Sequence, residues 1–327
     1  MNNGNSQPDT MSLHDRRLCF TSGIYVQFAI ITFVRNSGIL MANKGYFYLL
    51  CSAAIWGGAI VALSIGVGHS GPFTLQAAQC GIGALVLLPI IFYRRRKKST
   101  LNKNYSISYL LIRGGACGIA LTFASCIQQY GMKYTTVAKT GFITSLYIVI
   151  VPILMAFKRR PPSLKHWSCV GIATLGLYFL SMPSIEKISL GDVLVLISAF
   201  CYAIQIILIE QYSKNISAIE FSFIQFLSSA IISLFLALII EQPKLIVFSR
   251  IIIPVLYAGI LSCGVANTLQ VIGLQKVNPV IATIIMSLES VFALLGGVLI
   301  LKQVPAFHEL IGCILILFAV IFTQLEL

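Results

Sequence analysis

Charge is what this sequence has least of. Only 10% of its 327 residues are Asp, Glu, Lys or Arg, less than half of the roughly 25% found in an average soluble protein. So few charges cannot cover a folded surface of this size, which excludes an ordinary water-soluble domain. Disorder is excluded as well, because it needs low hydrophobicity and 57% of the chain is hydrophobic. Catalytic signatures are also missing. There is no His-Glu-x-x-His, no Gly-x-Ser-x-Gly, no phosphate loop and no pair of intramembrane aspartates. Direct ATP-driven work and intramembrane catalysis therefore lack their parts, and the chain reads as a non-enzyme. The nine cysteines show no CxxC or His-paired spacing. Cys51, Cys80, Cys117, Cys126, Cys169, Cys201, Cys263 and Cys313 fall within apolar runs and read as small packing residues. Nothing calls for a metal or a cofactor.

What is present is long apolar runs. A bilayer core of roughly 30 Å needs about 20 apolar residues in a helix rising 1.5 Å per residue. Runs of that kind occur at 46–66, 73–93, 109–130, 135–157, 166–182, 193–212, 219–240, 251–272, 279–301 and 308–325. They predict an all-α polytopic membrane protein with ten transmembrane helices. The connectors are short and marked by turn residues, as in His69-Ser-Gly-Pro72 and Glu241-Gln-Pro-Lys244. Asp192 stands alone near a helix start, where an N-cap or first-turn role suffices.

The net charge of +13 sits unevenly along the chain. Arg16, Arg17, Arg35 and Lys44 precede the first span. Arg94, Arg95, Arg96, Lys97, Lys98, Lys103 and Arg113 surround the second connector, and Lys158, Arg159, Arg160 and Lys165 the fourth. The opposite side of the first half holds only Lys133 and Lys187. This asymmetry is orientation code. It places both termini in the cytoplasm, in the inner membrane of a bacterium, and the Arg94–Lys98 cluster needs no nucleic acid to explain it. Residues 1–41 do not share the pattern of the rest and read as an amino-terminal tail.

The two halves repeat. With an offset of 142, Gln128 and Gly131 fall on Gln270 and Gly273, Ser145-Leu146 on Ser287-Leu288, and Val149 on Val291. With an offset of 146, Ser52-Ala53 falls on Ser198-Ala199 and Trp56 on Tyr202. The repeats run over 42–182 and 189–325 with five helices each. Five is odd, so the second repeat enters the bilayer upside down relative to the first. Inverted repeats are the arrangement of many secondary transporters, which bind substrate near the midplane and alternate its access.

Few polar side chains lie at depth. Glu289 is near the centre of its span, where a carboxylate costs at least a few kcal/mol unless paired, hydrated or protonated. It is the first candidate for binding a substrate amine or a proton; the competing reading is an interhelical hydrogen bond. Lys139 lies a few residues inside another span. It either snorkels to the headgroups, binds a substrate carboxylate, or pairs with Glu289. The two are not repeat equivalents, since Lys139 maps to Ile281 and Glu289 to Tyr147. Gln128 and Gln270 are equivalents, and read either as substrate ligands or as interhelical glue. Trp56, Tyr147, Tyr202 and Gln205 complete the candidate lining, with Asn267 and Gln76 as further polar candidates. Gly114-x-x-x-Gly118, Gly57-Gly58 and Gly296-Gly297 permit close helix approach.

Several segments resemble the EamA-type family of the drug/metabolite transporter superfamily. Gly131-Met-Lys-Tyr-Thr-Thr-Val-Ala-Lys-Thr-Gly-Phe-Ile-Thr-Ser-Leu-Tyr147, followed by Val151-Pro152, is similar to its fourth-helix signature. Ser287-Leu-Glu-Ser-Val-Phe-Ala293 is similar to its ninth-helix pattern, Ala54-Ile-Trp-Gly57 to its first helix, and Gly191-Asp192 to the opening of its second repeat. The chain carries Ser290 where the family often has proline, which removes the proline argument for a kink there. The resemblance implies ten helices, inverted repeats and export or exchange of small metabolites. The expected function is secondary transport of an amino acid, amine or amphipathic compound, coupled to protons. The alternatives are passive facilitation and, less favoured, intramembrane catalysis. The partners are a small-molecule substrate and the bilayer, and the sequence does not fix an oligomeric state.

Overall fold

In lipid a backbone N–H or C=O has no water to bond, so each spanning segment must satisfy its own groups, and a helix does this. The computed structural model describes residues 44–96, 105–181, 188–243, 245–301 and 306–324, and among these the regular elements are helical. In chain order they are α1 (Lys44–His69), α2 (Pro72–Arg96), α3 (Ile107–Gly131), α4 (Val137–Ser145), α5 (Tyr147–Phe157), α6 (Leu164–Ser181), α7 (Leu190–Tyr212) and α8 (Ala218–Leu236). There follow α9 (Leu245–Leu256), α10 (Thr268–Leu274), α11 (Pro279–Met286), α12 (Leu288–Leu301) and α13 (Phe307–Gln324). A π-helical turn, Ala237–Glu241, extends α8, and a π-helical segment, Tyr257–Asn267, joins α9 to α10. The expected tail, and Lys97, Lys98, Lys103 and Lys187 of the charge pattern, lie outside the described residues.

Among the described residues, seven stretches are long and apolar enough to cross a membrane: Lys44–His69, Pro72–Arg94, Ile107–Gly131, Lys139–Phe157, Leu190–Tyr212, Ala218–Glu241 and Ile251–Leu274. Pro279–Leu295 and Phe307–Thr323 are shorter apolar helices. The outward faces carry Phe92, Ile112, Phe157, Phe235 and Ile240, while Gln76, Gln129, Gln205 and Gln225 are buried. This is the reverse of a protein folded in water, and it fits lipid as the solvent.

The sequence places its helix starts with polar caps. Ser106 accepts from Tyr109 N at 3.1 Å, and Ser189 forms a capping box with Asp192. Thr136 caps α4 and Asn278 caps α11, and these two residues stand 142 apart, in the register of the repeat.

Two of the expected continuous spans are broken. The 135–157 run is α4 and α5, interrupted at Leu146, and the 279–301 run is α11 and α12, interrupted at Ser287. Composition stays apolar across both breaks, so hydropathy does not reveal them. The second occurs without a proline: Ser287 N donates to Thr283 O at 3.0 Å and Ser290 N to Ser287 O at 3.2 Å, keeping the backbone satisfied through the step.

Packing exchanges the halves. α2 lies along α8, and α6 along α13; α3 packs on α7 and α8, while the α9–α10 unit packs on α1 and α2. The α4–α5 pair packs on α7, and the α11–α12 pair on α1. Swapping first-half helices for their second-half equivalents reproduces the same set of neighbours. Glycines set the closest approaches. A side chain at Gly191 would meet Gly131 O at 2.6 Å and Thr135 N at 2.9 Å; one at Gly273 would meet Leu49 Cγ at 2.6 Å and Gly45 O at 3.2 Å. Gly131 and Gly273 are repeat equivalents, as are Gly45 and Gly191. Gly114 and Gly118 abut α8, where a Cβ would meet Ile224 Cγ2 at 2.8 Å and Gln225 O at 2.6 Å respectively.

The glycine contacts predict a sharp contrast. Gly191→Leu should lower the stability of the detergent-solubilised protein by about 1–3 kcal/mol, because backbone atoms occupy the space a side chain needs. Gly171→Ala meets nothing within 4 Å and should leave the melting temperature unchanged or raise it slightly. Thermal melts of the two variants check both outcomes.

Candidate functional site

Most of the polar side chains singled out in the sequence converge on one internal cavity of about 100 Å³. Trp56 of α1, Gln128 of α3, Tyr147 of α5, Tyr202 and Gln205 of α7, Gln270 of α10 and Glu289 of α12 all line it, together with Gln76 and Asn267. The lining follows the repeat. Trp56 and Tyr202 face the same space, as do Ser125 and Asn267, Gln128 and Gln270, Thr144 and Met286, and Tyr147 and Glu289. One pair even keeps its bonding pattern: Gln128 Nε2 donates to Thr144 Oγ1 at 2.8 Å, and Gln270 Nε2 to Met286 Sδ at 3.6 Å.

Glu289 sits in the first turn of α12, just past the break at Ser287, and is 5% exposed. The break in the other half meets it there. Ser145, the last residue of α4, donates to Glu289 Oε1 at 3.1 Å and lies 3.2 Å from the Ser290 hydroxyl. Gly57 makes room for this region on α1, since a Cβ there would meet Glu289 O and Ala293 N at 2.8 Å each. The opposite wall is neutral and hydrogen-bonded. Tyr202 donates to Gln128 Oε1 at 3.1 Å and its hydroxyl lies 3.0 Å from that of Ser125. Gln129 and Gln79 both donate to Gln76 Oε1, whose amide in turn donates to Ser229 at 3.1 Å.

Not every polar group is used. Gln129 Oε1, Gln270 Oε1 and Gln205 Nε2 are buried without a hydrogen-bond partner. Buried polar atoms are nearly always paired, so a cluster of orphans around one cavity marks a place where a ligand or water completes the set. The sequence reading missed Ser145, Gln79, Gln129 and Thr144. Small hydroxyl residues and amides in apolar runs are too common to single out, and only the fold brings Ser145 to Glu289, Thr144 to Gln128, and Gln79 and Gln129 to Gln76.

Of the three readings offered for Lys139, pairing with Glu289 is not what the structure shows. Its ammonium lies 3.2 Å from Asp192 Oδ2, and it is absent from the cavity lining. Asp192 also takes a hydrogen bond from Thr135 and one from Ser189 N at 2.9 Å. The pair joins the start of α4 to the start of α7. At the same end of the bundle, Glu241 satisfies the N-terminus of α2, accepting from Phe73 N at 2.9 Å and from Thr74 N at 2.8 Å. Other ties join the halves at the opposite end: Tyr105 donates to Glu220 at 2.7 Å, and Arg160 approaches Glu210 at 3.8 Å.

Apolar helices closed around a polar cavity, with ties between the halves at both ends, define a polytopic membrane protein built to carry a solute. The chain belongs to the EamA-like transporter family of the drug/metabolite transporter superfamily, whose profile matches residues 43–182 and again 189–325. It is 29% identical over 304 residues to an uncharacterized transporter of Archaeoglobus fulgidus, covering 90% of this chain and 92% of that one. It is 25% identical over 272 residues to the uncharacterized transporter YoaV of Bacillus subtilis, covering 80% and 90%. A protein of known crystal structure shares the fold with a TM-score of 0.71 at 16% identity, over 86% of this chain and 96% of that one. The protein is thus a transporter of this family and a multi-pass membrane protein.

The Asp192 cluster separates structure from binding. Asp192→Ala removes a cap and two further partners, and should cost about 1–3 kcal/mol. Lys139→Met leaves Asp192, 8% exposed, with its hydrogen bonds from Thr135 and Ser189 but without the ammonium, and should cost about 1–3 kcal/mol. Neither change touches the cavity, so ligand affinity in a thermal-shift titration should stay within twofold of wild type for Lys139→Met.

Proposed function

We propose that the protein is a secondary transporter that moves a small metabolite across the cytoplasmic membrane by alternating access. Ten transmembrane helices form two inverted five-helix repeats over 42–182 and 189–325, with both termini in the cytoplasm. The observation that carries this reading is the cavity, whose lining residues come in repeat-equivalent pairs and enclose one carboxylate. A site shared by two inverted halves stays in place while each half takes the other's conformation, and access passes from one side to the other. The packing supports this: the Gly131–Gly191 contact at one end of the bundle corresponds to the Gly273–Gly45 contact at the other.

Glu289 is the residue on which substrate or proton binding turns, with Gln128, Gln270, Gln205, Trp56, Tyr147 and Tyr202 shaping the rest. A carboxylate at this depth needs a partner, and a substrate cation or a proton can be that partner, which gives coupling a physical basis. Passive facilitation is the second reading. It is favoured by the existing Ser145 bond to Glu289, which gives the carboxylate a structural role without titration.

Transport in proteoliposomes separates the two. With a labelled hit from a thermal-shift screen of metabolites, an imposed proton gradient should drive accumulation above the external concentration. Glu289→Gln should abolish that accumulation, and should retain at most slow downhill flux. Equal flux with and without the gradient, unchanged in Glu289→Gln, would establish the facilitator instead.

A further inference from the structure

We propose that the cavity selects small organic cations without a carboxylate, such as simple amines, and rejects amino acids and organic acids. This rests on the transport reading above and narrows its substrate class. The first observation is a charge count. Glu289 is the single ionisable acid or base of full charge lining the cavity, and no Lys, Arg or His lines it among the described residues. Lys139, the cation that the sequence offered for a substrate carboxylate, is engaged with Asp192. A zwitterion entering this space finds a partner for its ammonium and none of opposite charge for its carboxylate. Removing a carboxylate from water without a countercharge is strongly unfavourable, and here it would also lie beside the negative charge of Glu289.

The second observation is the inventory of orphaned groups. Gln129 Oε1 and Gln270 Oε1 are unpartnered acceptors, on side chains 0% and 3% exposed. With the Glu289 carboxylate they favour a ligand rich in N–H donors, as an ammonium is. Gln205 Nε2 is an unpartnered donor, but it is neutral and suits a hydroxyl or carbonyl better than a charge. Trp56, Tyr147 and Tyr202 line the same space, and aromatic faces attract cations and not anions. The free volume is about 100 Å³, which suits a small ligand and not a bulky one. It admits an ammonium head on a short apolar stem.

A ligand series on one carbon skeleton tests the charge rule with the full chain in detergent: 3-methylbutylamine, leucine, 4-methylpentanoate and 3-methylbutan-1-ol, each titrated by thermal shift. The amine should bind at least tenfold more tightly than each of the other three. Glu289→Gln should weaken the amine at least tenfold while leaving the alcohol unchanged. The series on the wild-type chain decides the rule even if the variant fails to fold. An amine that does not bind, or binds no better than leucine or the acid, overturns the proposed class; undiminished amine binding by folded Glu289→Gln overturns the role of the carboxylate. Counterflow of labelled amine in proteoliposomes then tests the reading beneath it. Binding without counterflow leaves the class standing and overturns transport.

Discussion

The constraint on which this structure depends is that a helix broken inside a membrane must be covered at the break. Lipid offers no partner for a loosened backbone group, so an interruption survives only where protein or a polar cavity surrounds it. Here two breaks occur, at Leu146 and at Ser287, and each lies against the other. Ser145 and Ser290 are in hydroxyl contact across the junction, and the Ser145 hydroxyl meets the carboxylate of Glu289. The site is therefore not an ornament on a finished bundle. The two interruptions keep their backbone groups paired within the chain, and they meet where the polar side chains of the site gather.

The surrounding elements follow from that junction. α1 reaches it through Gly57, which brings its backbone within contact of α12. α7 supplies the equivalent surface to α4 and α5 through Tyr202 and Gln205. The π-helical segment Tyr257–Asn267 carries Ser262 and Asn267 to the cavity, and its wider turn lets Gly259 approach Ile82 of α2. Such segments are frequent at functional sites because they re-aim side chains at the expense of regular bonding. The ends of the bundle carry the charged ties instead: Lys139 with Asp192 and Glu241 on α2 at one end, Arg160 with Glu210 and Tyr105 with Glu220 at the other. Polar contacts near water are weak individually. They are suited to being broken and remade at alternate ends while the apolar contacts slide.

Much of this was legible in the sequence because the bilayer imposes a simple code. Apolar runs give helices, and the rare polar residues within them give the cavity. Glu289, Gln128, Gln270, Trp56, Tyr147, Tyr202 and Gln205 stand out against their neighbours for that reason and do share one space. The offset of 142 that links Gln128 to Gln270 also links their partners Thr144 and Met286. What was not legible depends on contacts across the chain. Lys139 stood between the headgroups, a substrate carboxylate and Glu289 because sequence gives depth and charge, not azimuth; its actual partner, Asp192, is 53 residues away and was explained locally as a helix cap. Asp192 does both. Glu241 looked like a turn residue, yet it closes the start of α2 from 168 residues away. The helix breaks escaped because an apolar run says nothing about which hydrogen bonds are skipped within it.

The central claim is that the two halves exchange conformations around a fixed site. Double electron–electron resonance on the reconstituted chain, with native cysteines replaced, tests it most directly. One label pair is placed at 137 and 190, exposed positions at the Lys139–Asp192 end, and another at 157 and 215, exposed at the opposite end. The two distances should change in opposite senses as substrate and pH are varied, one end separating as the other closes. Distances that stay fixed at both ends, or that lengthen together, would contradict the exchange.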